Sequence, residues 1–285
     1  MRVRILTDST SYIKEELRRE LDIEKLSLSV TFQNESFKET DISNVEFYKK
    51  MEQHGIPVSS QPSANEVLDT MREMVRNGEN ILCVTISSEM SGTYSTIHLV
   101  KDMLLDEYPE AKIEILDSRS NSMQLGFAVI VAARAAKEGK SLEEVKAAAE
   151  EIIARSRFVF IPHNLEYLKK GGRIGGASAL FGGLLKIIPI LTVENGVTTV
   201  INKIRTKSKA INEMLNKVYE DIDSHGLEEI IVHHIDCYDE AEELAERIKE
   251  KLNITPDIVD IGPVIGLHVG PGAMGIVYYT KEPLR

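Results

Sequence analysis

Residues 80–108 read NILCVTISSEMSGTYSTIHLVKDMLLDEY, an apolar run followed by a short polar segment and a helical pattern. The run NILCVTIS predicts a buried strand, and the residues from Ser91 onward predict a helix. The same alternation surrounds this unit: VRILTD, KLSLSVTF and KIEILDS predict strands, and MQLGFAVIVAARAAKEG and SLEEVKAAAEEIIARS predict helices. Such a succession predicts a mainly parallel sheet covered by helices.

The pattern changes after Arg155. FVFIP predicts a short strand, and the segment 165–189 is rich in glycine. Asn195–Gly196 stands between two strand-like runs, which is a strong hairpin signal. The last apolar stretch, IGPVIGLHVGPGAMGIVYYT at 261–280, predicts strand, turn, strand. We therefore predict two α/β domains, at residues 1–156 and 157–285.

The chain of 285 residues is 42% hydrophobic and carries a net charge of −11, which argues against nucleic acid or an anionic membrane as a partner. The segment from Arg155 to Lys209 is different. It has ten Lys/Arg and two Asp/Glu, a net charge of +8, whereas the rest has 24 Lys/Arg and 43 Asp/Glu, a net charge of −19. This basic segment favours an anionic partner, although basic residues that only flank apolar segments would give the same count.

Cys83 and Cys237 are the only cysteines, and they lack any zinc-binding spacing. Buried, reduced thiols are expected, which suits a cytoplasmic protein. The N-terminal apolar run is too short for a signal peptide. The most apolar region, at 174–193, is interrupted by Lys186 and Pro189, so we expect no membrane anchor.

Two hydroxyl-rich segments lead into predicted helices. Ser91, Gly92 and Thr93 follow a buried strand, at the place where open α/β sheets bind ligands and where a helix N-terminus favours an anion. Ser91 could instead be only a helix cap. Ser59 and Ser60 lie in a loop stiffened by prolines, and this loop could hold a ligand or simply end in a helix cap.

Several other polar residues allow more than one role. Asp8, Asp117 and Asp236 end predicted strands, where carboxylates could bind a metal, act as acid–base groups or cap helices. A pairing of Ser91 with His268 would suit a hydrolase, but EMSGT is not the nucleophile elbow and no third group is evident. His233 and His234 are adjacent in a strand and point to opposite faces, so they cannot chelate one ion together.

The chain resembles the DegV family of bacterial fatty-acid-binding proteins over essentially its whole length. The resemblance depends on the number, order and spacing of these segments: ILTDST at 5–10, SSQPS at 59–63, SSEMSGTYST at 87–96, ILDS at 115–118, LEYLKKGGRI at 165–174, IRTKSKA at 204–210 and HVGPGAMG at 268–275. It implies two α/β domains with an acyl chain such as palmitate in an apolar tunnel between or beside them. Ser59 stands where the family usually has threonine, so the hydroxyl is kept and a methyl group is lost.

The resemblance also implies a function. Ser59, Ser91 and His268 would hold the fatty-acid carboxylate, with no cofactor, no metal and no turnover by the chain itself. Arg173 and Arg205 match positions near the headgroup and facing a fatty-acid kinase, which would form an acyl-phosphate for phospholipid synthesis through an acyltransferase. The alternative is an enzyme on the same fold, a serine hydrolase or a phosphotransferase. The apolar tunnel candidates, although such residues are more often plain core, are Phe127, Ile130, Leu165, Leu180, Phe181 and Ile188.

Overall fold

The computed structural model describes residues 2–33, 35–180 and 187–284. The described strands, β1–β13 in chain order, are Val3–Asp8, Glu24–Leu26, Ser29–Phe32, Glu35–Lys38, Val58–Ser60, Asn80–Thr85, Ile113–Asp117, Ser156–Ile161, Ile188–Glu194, Val197–Ile204, Leu227–His234, Asp257–Asp260 and Met274–Thr280. The described helices, α1–α10, are Glu15–Glu20, Asn44–His54, Ala64–Arg76, Thr93–Glu107, Ser122–Lys137, Leu142–Arg155, Glu166–Lys170, Lys207–His225, Tyr238–Leu252 and Pro263–Val269.

The predicted parallel sheet is confirmed. It has the strand order β2-β1-β6-β7, and all of its pairings are parallel. In β6, Ile81 and Cys83 pack with residues of α3 and α4, whereas Leu82 and Val84 pack with residues of α5 and α6. Helices therefore cover both faces, which is why β6 is a continuous apolar run.

The second half of the chain forms a six-stranded sheet of order β10-β9-β8-β13-β11-β12. Its pairings are antiparallel except for β11 with β12. One face packs against α8 and α9 and the other against α5, so α5 lies between the two large sheets. The domain boundary after residue 156 stays a prediction: it falls at the start of β8, but one hydrophobic core continues across it.

The strand predicted for KLSLSVTF is wrong as a single element. Its first residues form β2 in the parallel sheet, and its last residues form β3 in a separate antiparallel sheet of order β4-β3-β5. The break is at Leu28, whose N–H donates to Ser9 Oγ and whose carbonyl accepts from Glu39 N, rather than bonding to a neighbouring strand. The loop predicted around Ser59 is in fact the short strand β5, which pairs with β3.

The strand predicted before His268 is also wrong, because residues 263–269 form the helix α10. Pro263 occupies its first turn, where a missing N–H has no cost, and Gly270 ends it at φ 89°. A short apolar run does not distinguish a buried helix from a buried strand. None of the described helices is long and apolar enough to cross a membrane.

Residues of the first half hold the beginning of α10 in place. Glu39 Oε2 accepts from Val264 N at 3.1 Å, and Tyr12 Oη accepts from Ile265 N at 3.2 Å. Tyr48 Oη donates to the carbonyl of Ile261 at 3.2 Å. The helix that carries His268 is therefore fixed by both halves of the chain.

Candidate functional site

A cavity of about 270 Å³ lies between the carboxyl ends of the parallel strands and the inner face of the six-stranded sheet. Its apolar wall comes from both halves and from α10. The apolar lining residues are Leu28, Ile86, Met90, Phe158, Phe160, Leu168, Val193, Ile235, Ile261, Val264, Ile265, Val269, Ala273 and Met274. Its polar lining residues are Ser59, Ser60, Gln61, Ser91, Asn121, Arg173, Thr198 and His268, and Gly92 and Gly275 complete it.

Most of the predicted site residues line this cavity. They are Ser59, Ser60, Ser91, Gly92, His268 and Arg173. Thr93 is fully buried and is not one of the described lining residues; its N–H donates to Ser91 Oγ at 3.3 Å. Arg205 is exposed just beyond β10, an edge strand of the six-stranded sheet, and it too is absent from the described lining. Their roles in ligand binding stay predictions.

The five predicted tunnel residues that the structure describes are absent from the described cavity lining. Phe127 and Ile130 are buried on α5 in the core, where the Phe127 ring packs edge-on against Tyr279. Leu165, Leu180 and Ile188 are likewise absent from the described lining, and Phe181 lies outside the described residues. The wall instead uses Phe158 and Phe160 of β8, which point to the same face as alternate residues of one strand.

His268 and Ser59 form the centre of the polar end. Ser59 Oγ lies 2.9 Å from His268 Nε2, although 209 residues separate them in sequence. Burial, and then the charge of Arg173, lower the pKa of His268 to about 4, so the ring is neutral at pH 7. Nδ1 is buried and has no hydrogen-bond partner in the described parts of the chain. We assign the proton to Nε2, because a buried N–H without an acceptor at Nδ1 would cost more free energy than a buried acceptor without a donor. Ser59 then accepts from His268 and keeps its own O–H free to donate.

Gly171 makes room for the His268 ring. A Cβ at this position would lie 2.0 Å from His268 Nδ1. The backbone of Gly171 is helical, with φ −75° and ψ −8°, which any residue can adopt. The space taken by the imidazole, and not the backbone conformation, therefore accounts for glycine here.

The other side of the polar end is the N-terminus of α4. Gly92 is the N-cap residue of α4. A Cβ at this position would lie 1.9 Å from Gln61 Oε1, so the Gln61 side chain occupies the space beside the glycine. Ser91 Oγ lies 2.9 Å from Thr93 Oγ1. Hydroxyls and free N–H groups at the start of a 15-residue helix favour a negative group.

Arg173 joins the two halves at the cavity. Its Nε donates to the carbonyl of Met90 at 3.0 Å, and its Nη1 donates to the carbonyl of Gly171 at 2.5 Å. No aspartate or glutamate is among the described lining residues. The cavity of a protein with net charge −11 thus carries one formal positive charge, which suits a small anion with an apolar body.

The three strand-end aspartates do not converge on the cavity. Asp8 caps the turn at Ser9–Ser11 and accepts from Ile86 N at 2.7 Å, and burial raises its pKa. Asp117 accepts from Arg119 N at 2.8 Å, and Asp236 is exposed. Within the described ranges, no group of three His, Cys, Asp or Glu could hold a metal ion. Asp8 and Asp117 therefore serve the structure of loops.

The sequence prediction missed Gln61, Asn121 and Thr198 as lining residues. Gln61 lay inside the quoted SSQPS segment, so its neighbours gave a usable signal. Asn121 follows β7 at the carboxyl end of the parallel sheet, where ligands bind in such folds, and that position was a usable signal as well. Thr198 follows the hairpin turn, and nothing in its spacing distinguishes it from an ordinary strand residue.

The chain is similar to known proteins over essentially its whole length. The family model described as "Uncharacterised protein, DegV family" matches residues 2–281. A DegV domain-containing protein of Clostridium acetobutylicum is 62% identical over 285 residues, 100% of each chain. One of Clostridium perfringens is 44% identical, covering 99% of this chain and 100% of that protein.

Solved structures are similar over the whole chain. DegV of Bacillus subtilis, described as a fatty acid binding protein, superposes with a TM-score of 0.87 at 31% identity and covers 99% of this chain and 100% of its own. A DegV family protein of Thermus thermophilus, described by its fatty acid binding, superposes with a TM-score of 0.87 at 29% identity. The match covers 98% of this chain and 100% of that one. A stearic acid-binding protein of Eubacterium ventriosum gives 0.88 at 27% identity, with 98% of each covered. The present chain belongs to the DegV family.

Proposed function

We propose that this protein binds a long-chain fatty acid, with the acyl chain in the cavity and the carboxylate at its polar end. One observation carries the proposal: an apolar cavity ends at Ser59, Ser91 and His268 and has no acidic lining residue among those described. Fatty-acid binding by three similar structures, two of them described as DegV proteins, supports it.

The energetics are consistent with this ligand. A buried carboxylate must exchange its water for protein donors, and the Ser59 and Ser91 hydroxyls and the start of α4 are such donors. Each buried methylene contributes about 0.8 kcal/mol, so ten would contribute roughly 8 kcal/mol before ordering costs. The tail therefore supplies the attraction, and the polar end selects the acid.

We propose a carrier rather than an enzyme. The second candidate, a serine hydrolase, is favoured by the 2.9 Å contact between Ser59 and His268. A catalytic histidine, however, needs a partner that orients its other nitrogen, and His268 Nδ1 has none among the residues described. A pKa near 4 also makes this imidazole a weak base at pH 7.

The proposed use of the bound acid is phosphorylation by a separate fatty-acid kinase in the cytoplasm. Arg173 lines the cavity and Arg205 is exposed, so we propose that they serve the headgroup and the kinase-facing surface respectively. An acyl-phosphate is more negative than a carboxylate, and arginine suits it better. An acyltransferase of phospholipid synthesis would then consume the acyl-phosphate.

Ser91→Ala separates the two candidate functions, and Ser95→Ala is the matched control, because Ser95 is exposed in the first turn of α4, just after Ser91. We expect organic extraction and mass spectrometry of the purified protein to release a long-chain acid. We expect Ser91→Ala to weaken palmitate binding about fivefold to tenfold and Ser95→Ala to leave it unchanged. Recovery of no lipid, together with no uptake of palmitate or oleate, would contradict the proposal. Hydrolysis of acyl esters that disappears in Ser91→Ala or Ser59→Ala while binding persists would instead establish the enzyme.

A further inference from the structure

Asn121 occupies the N-cap position of α5, but its side chain makes no capping hydrogen bond. Asparagine at this position usually accepts from the first N–H groups of the helix. Here the N–H of Met123 donates to Nε2 of His233 at 3.2 Å. His233 is fully buried, and its Nδ1 donates to the carbonyl of Val259 at 2.9 Å. A histidine from the other half of the chain thus caps α5 and leaves the Asn121 amide available.

The amide lies in the cavity with an incomplete set of partners. Asn121 is 5% exposed and is a lining residue. Its Oδ1 accepts from Ser122 Oγ at 2.8 Å, whereas its Nδ2 has one partner in the described chain, the sulphur of Met90 at 3.3 Å. The amide nitrogen carries two N–H donors, and a thioether is a weak acceptor. An almost fully buried donor therefore faces an apolar cavity without a good acceptor, which proteins generally avoid.

The backbone around Asn121 fixes its position. Arg119 and Ser122 both have φ 54°, which is unfavourable for residues other than glycine. Ser120 anchors this turn through its carbonyl, which accepts from Ser87 N at 2.8 Å. The amide is therefore held against Met90 by a rigid turn, whereas the Met90 side chain has several rotatable bonds and can move aside.

We infer that the cavity prefers an acyl chain that carries a hydroxyl group, which Asn121 binds after Met90 moves aside. The inference rests on the proposed function and names a subclass of its ligand. A hydroxyl both donates and accepts, so it satisfies the amide, whereas a methylene cannot. Met90 directly precedes Ser91, so the hydroxyl should lie in the half of the chain nearer the carboxylate.

The test is competition between stearate and monohydroxystearates whose hydroxyl is placed either near the carboxylate or at mid-chain. We expect the protein to bind a carboxyl-proximal hydroxystearate about fivefold more tightly than stearate. Asn121→Leu, which keeps the side-chain size, should abolish this preference. Met90→Leu removes the competing sulphur while keeping the carbonyl that binds Arg173, so it should increase the preference. Thr199→Val is the matched control, because Thr199 is not among the described lining residues and its hydroxyl donates to the carbonyl of Val197 at 3.3 Å, so it should leave the ratio unchanged.

The outcomes distinguish this inference from the proposed function. If the protein binds stearate but no hydroxystearate more tightly, the inference is wrong and fatty-acid binding stands. If it binds neither acid, both are overturned. Equal weakening of both ligands in Asn121→Leu would mean that Asn121 contacts the carboxylate, which also overturns the inference. Circular dichroism checks that Asn121→Leu folds, and Met90→Leu tests the same contact with Asn121 intact.

Discussion

Gly171→Ala should displace His268 without disturbing the backbone. The new Cβ would lie 2.0 Å from His268 Nδ1, whereas ordinary contacts begin at 3.4 Å, so the ring must retreat by about 1.4 Å. Its hydrogen bond to Ser59, now 2.9 Å, cannot survive a shift of that size. Alanine fits the helical backbone at 171, so the effect should be confined to the imidazole.

The expected loss is one hydrogen bond that orients a carboxylate donor, about 1.4 kcal/mol or roughly tenfold in the dissociation constant for palmitate. Titration calorimetry measures the affinity, and the imidazole resonances of His268 report the displacement directly. Gly176→Ala is the matched control, because its Cβ would be 3.5 Å from the carbonyl oxygen of Thr198, an ordinary contact.

A double-mutant cycle makes this prediction sharp. In a His268→Ala background the ring is gone, so Gly171→Ala should cost nothing further. Unchanged affinity and unchanged imidazole resonances in Gly171→Ala would refute the steric reasoning. An equal loss in both backgrounds would show that position 171 acts by some route other than His268.

Three further predictions concern pH, cavity depth and the kinase. Burial lowers the pKa of His233 to about 4, and burial together with the charge of Arg173 lowers the pKa of His268 to about 4. As the pH falls from 6.5 to 4, these histidines therefore take up protons in the unfolded chain before they do so in the folded one. The free energy of unfolding should fall over this range by up to about 1.4 kcal/mol per pH unit for each ring. Burial raises the pKa of Glu39 to about 7, so this carboxyl group makes stability fall as the pH rises from 4.5 to 7 and opposes the effect of the two histidines. Glu39→Gln removes this opposition, so the free energy of unfolding measured in urea should rise more steeply with pH. An unchanged slope would contradict this. Gly275→Ala would place a Cβ 2.5 Å from Phe158 Cε2, so we expect a loss of about 1–3 kcal/mol in unfolding free energy and a shift toward shorter acids in competition binding, and wild-type values for both would rule out this contact. Arg205→Ala should slow phosphorylation of bound palmitate by a fatty-acid kinase but leave the affinity for palmitate intact. Lys203→Ala, which removes an exposed cation two residues away, should change neither quantity. Equal phosphorylation rates in the two variants would show that Arg205 does not face the kinase.

The parallel sheet could be predicted because its two central strands, β1 and β6, are buried along most of their length and so are rich in apolar residues. β6 is the clearest example, with five buried residues in succession. The helix α10 could not be predicted in this way, because a run of seven mostly apolar residues fits a buried helix as well as a strand. The split between β2 and β3 was hidden for another reason: it depends on Leu28 bonding to Ser9 and Glu39, which are distant in sequence.

The polar end of the site was easier to predict than its wall. Ser59, Ser91 and His268 lie in short segments with recognisable neighbours, so resemblance identified them. Phe158 and Phe160 alternate with Val159, and this spacing shows that they share a face. It does not show whether that face meets a cavity or a packed helix, because that depends on how two sheets from different halves of the chain come together.

The attachment of α10 to the first half determines how the chain can be divided. A fragment ending at residue 156 would keep Glu39, Tyr12 and Tyr48 but lose the backbone groups of 261–265 to which they bond. A fragment starting at 157 would retain His268 on a seven-residue helix with its anchors removed. Neither piece would then contain both Ser59 and His268, so we expect a split protein to bind a fatty acid only after the two pieces reassociate.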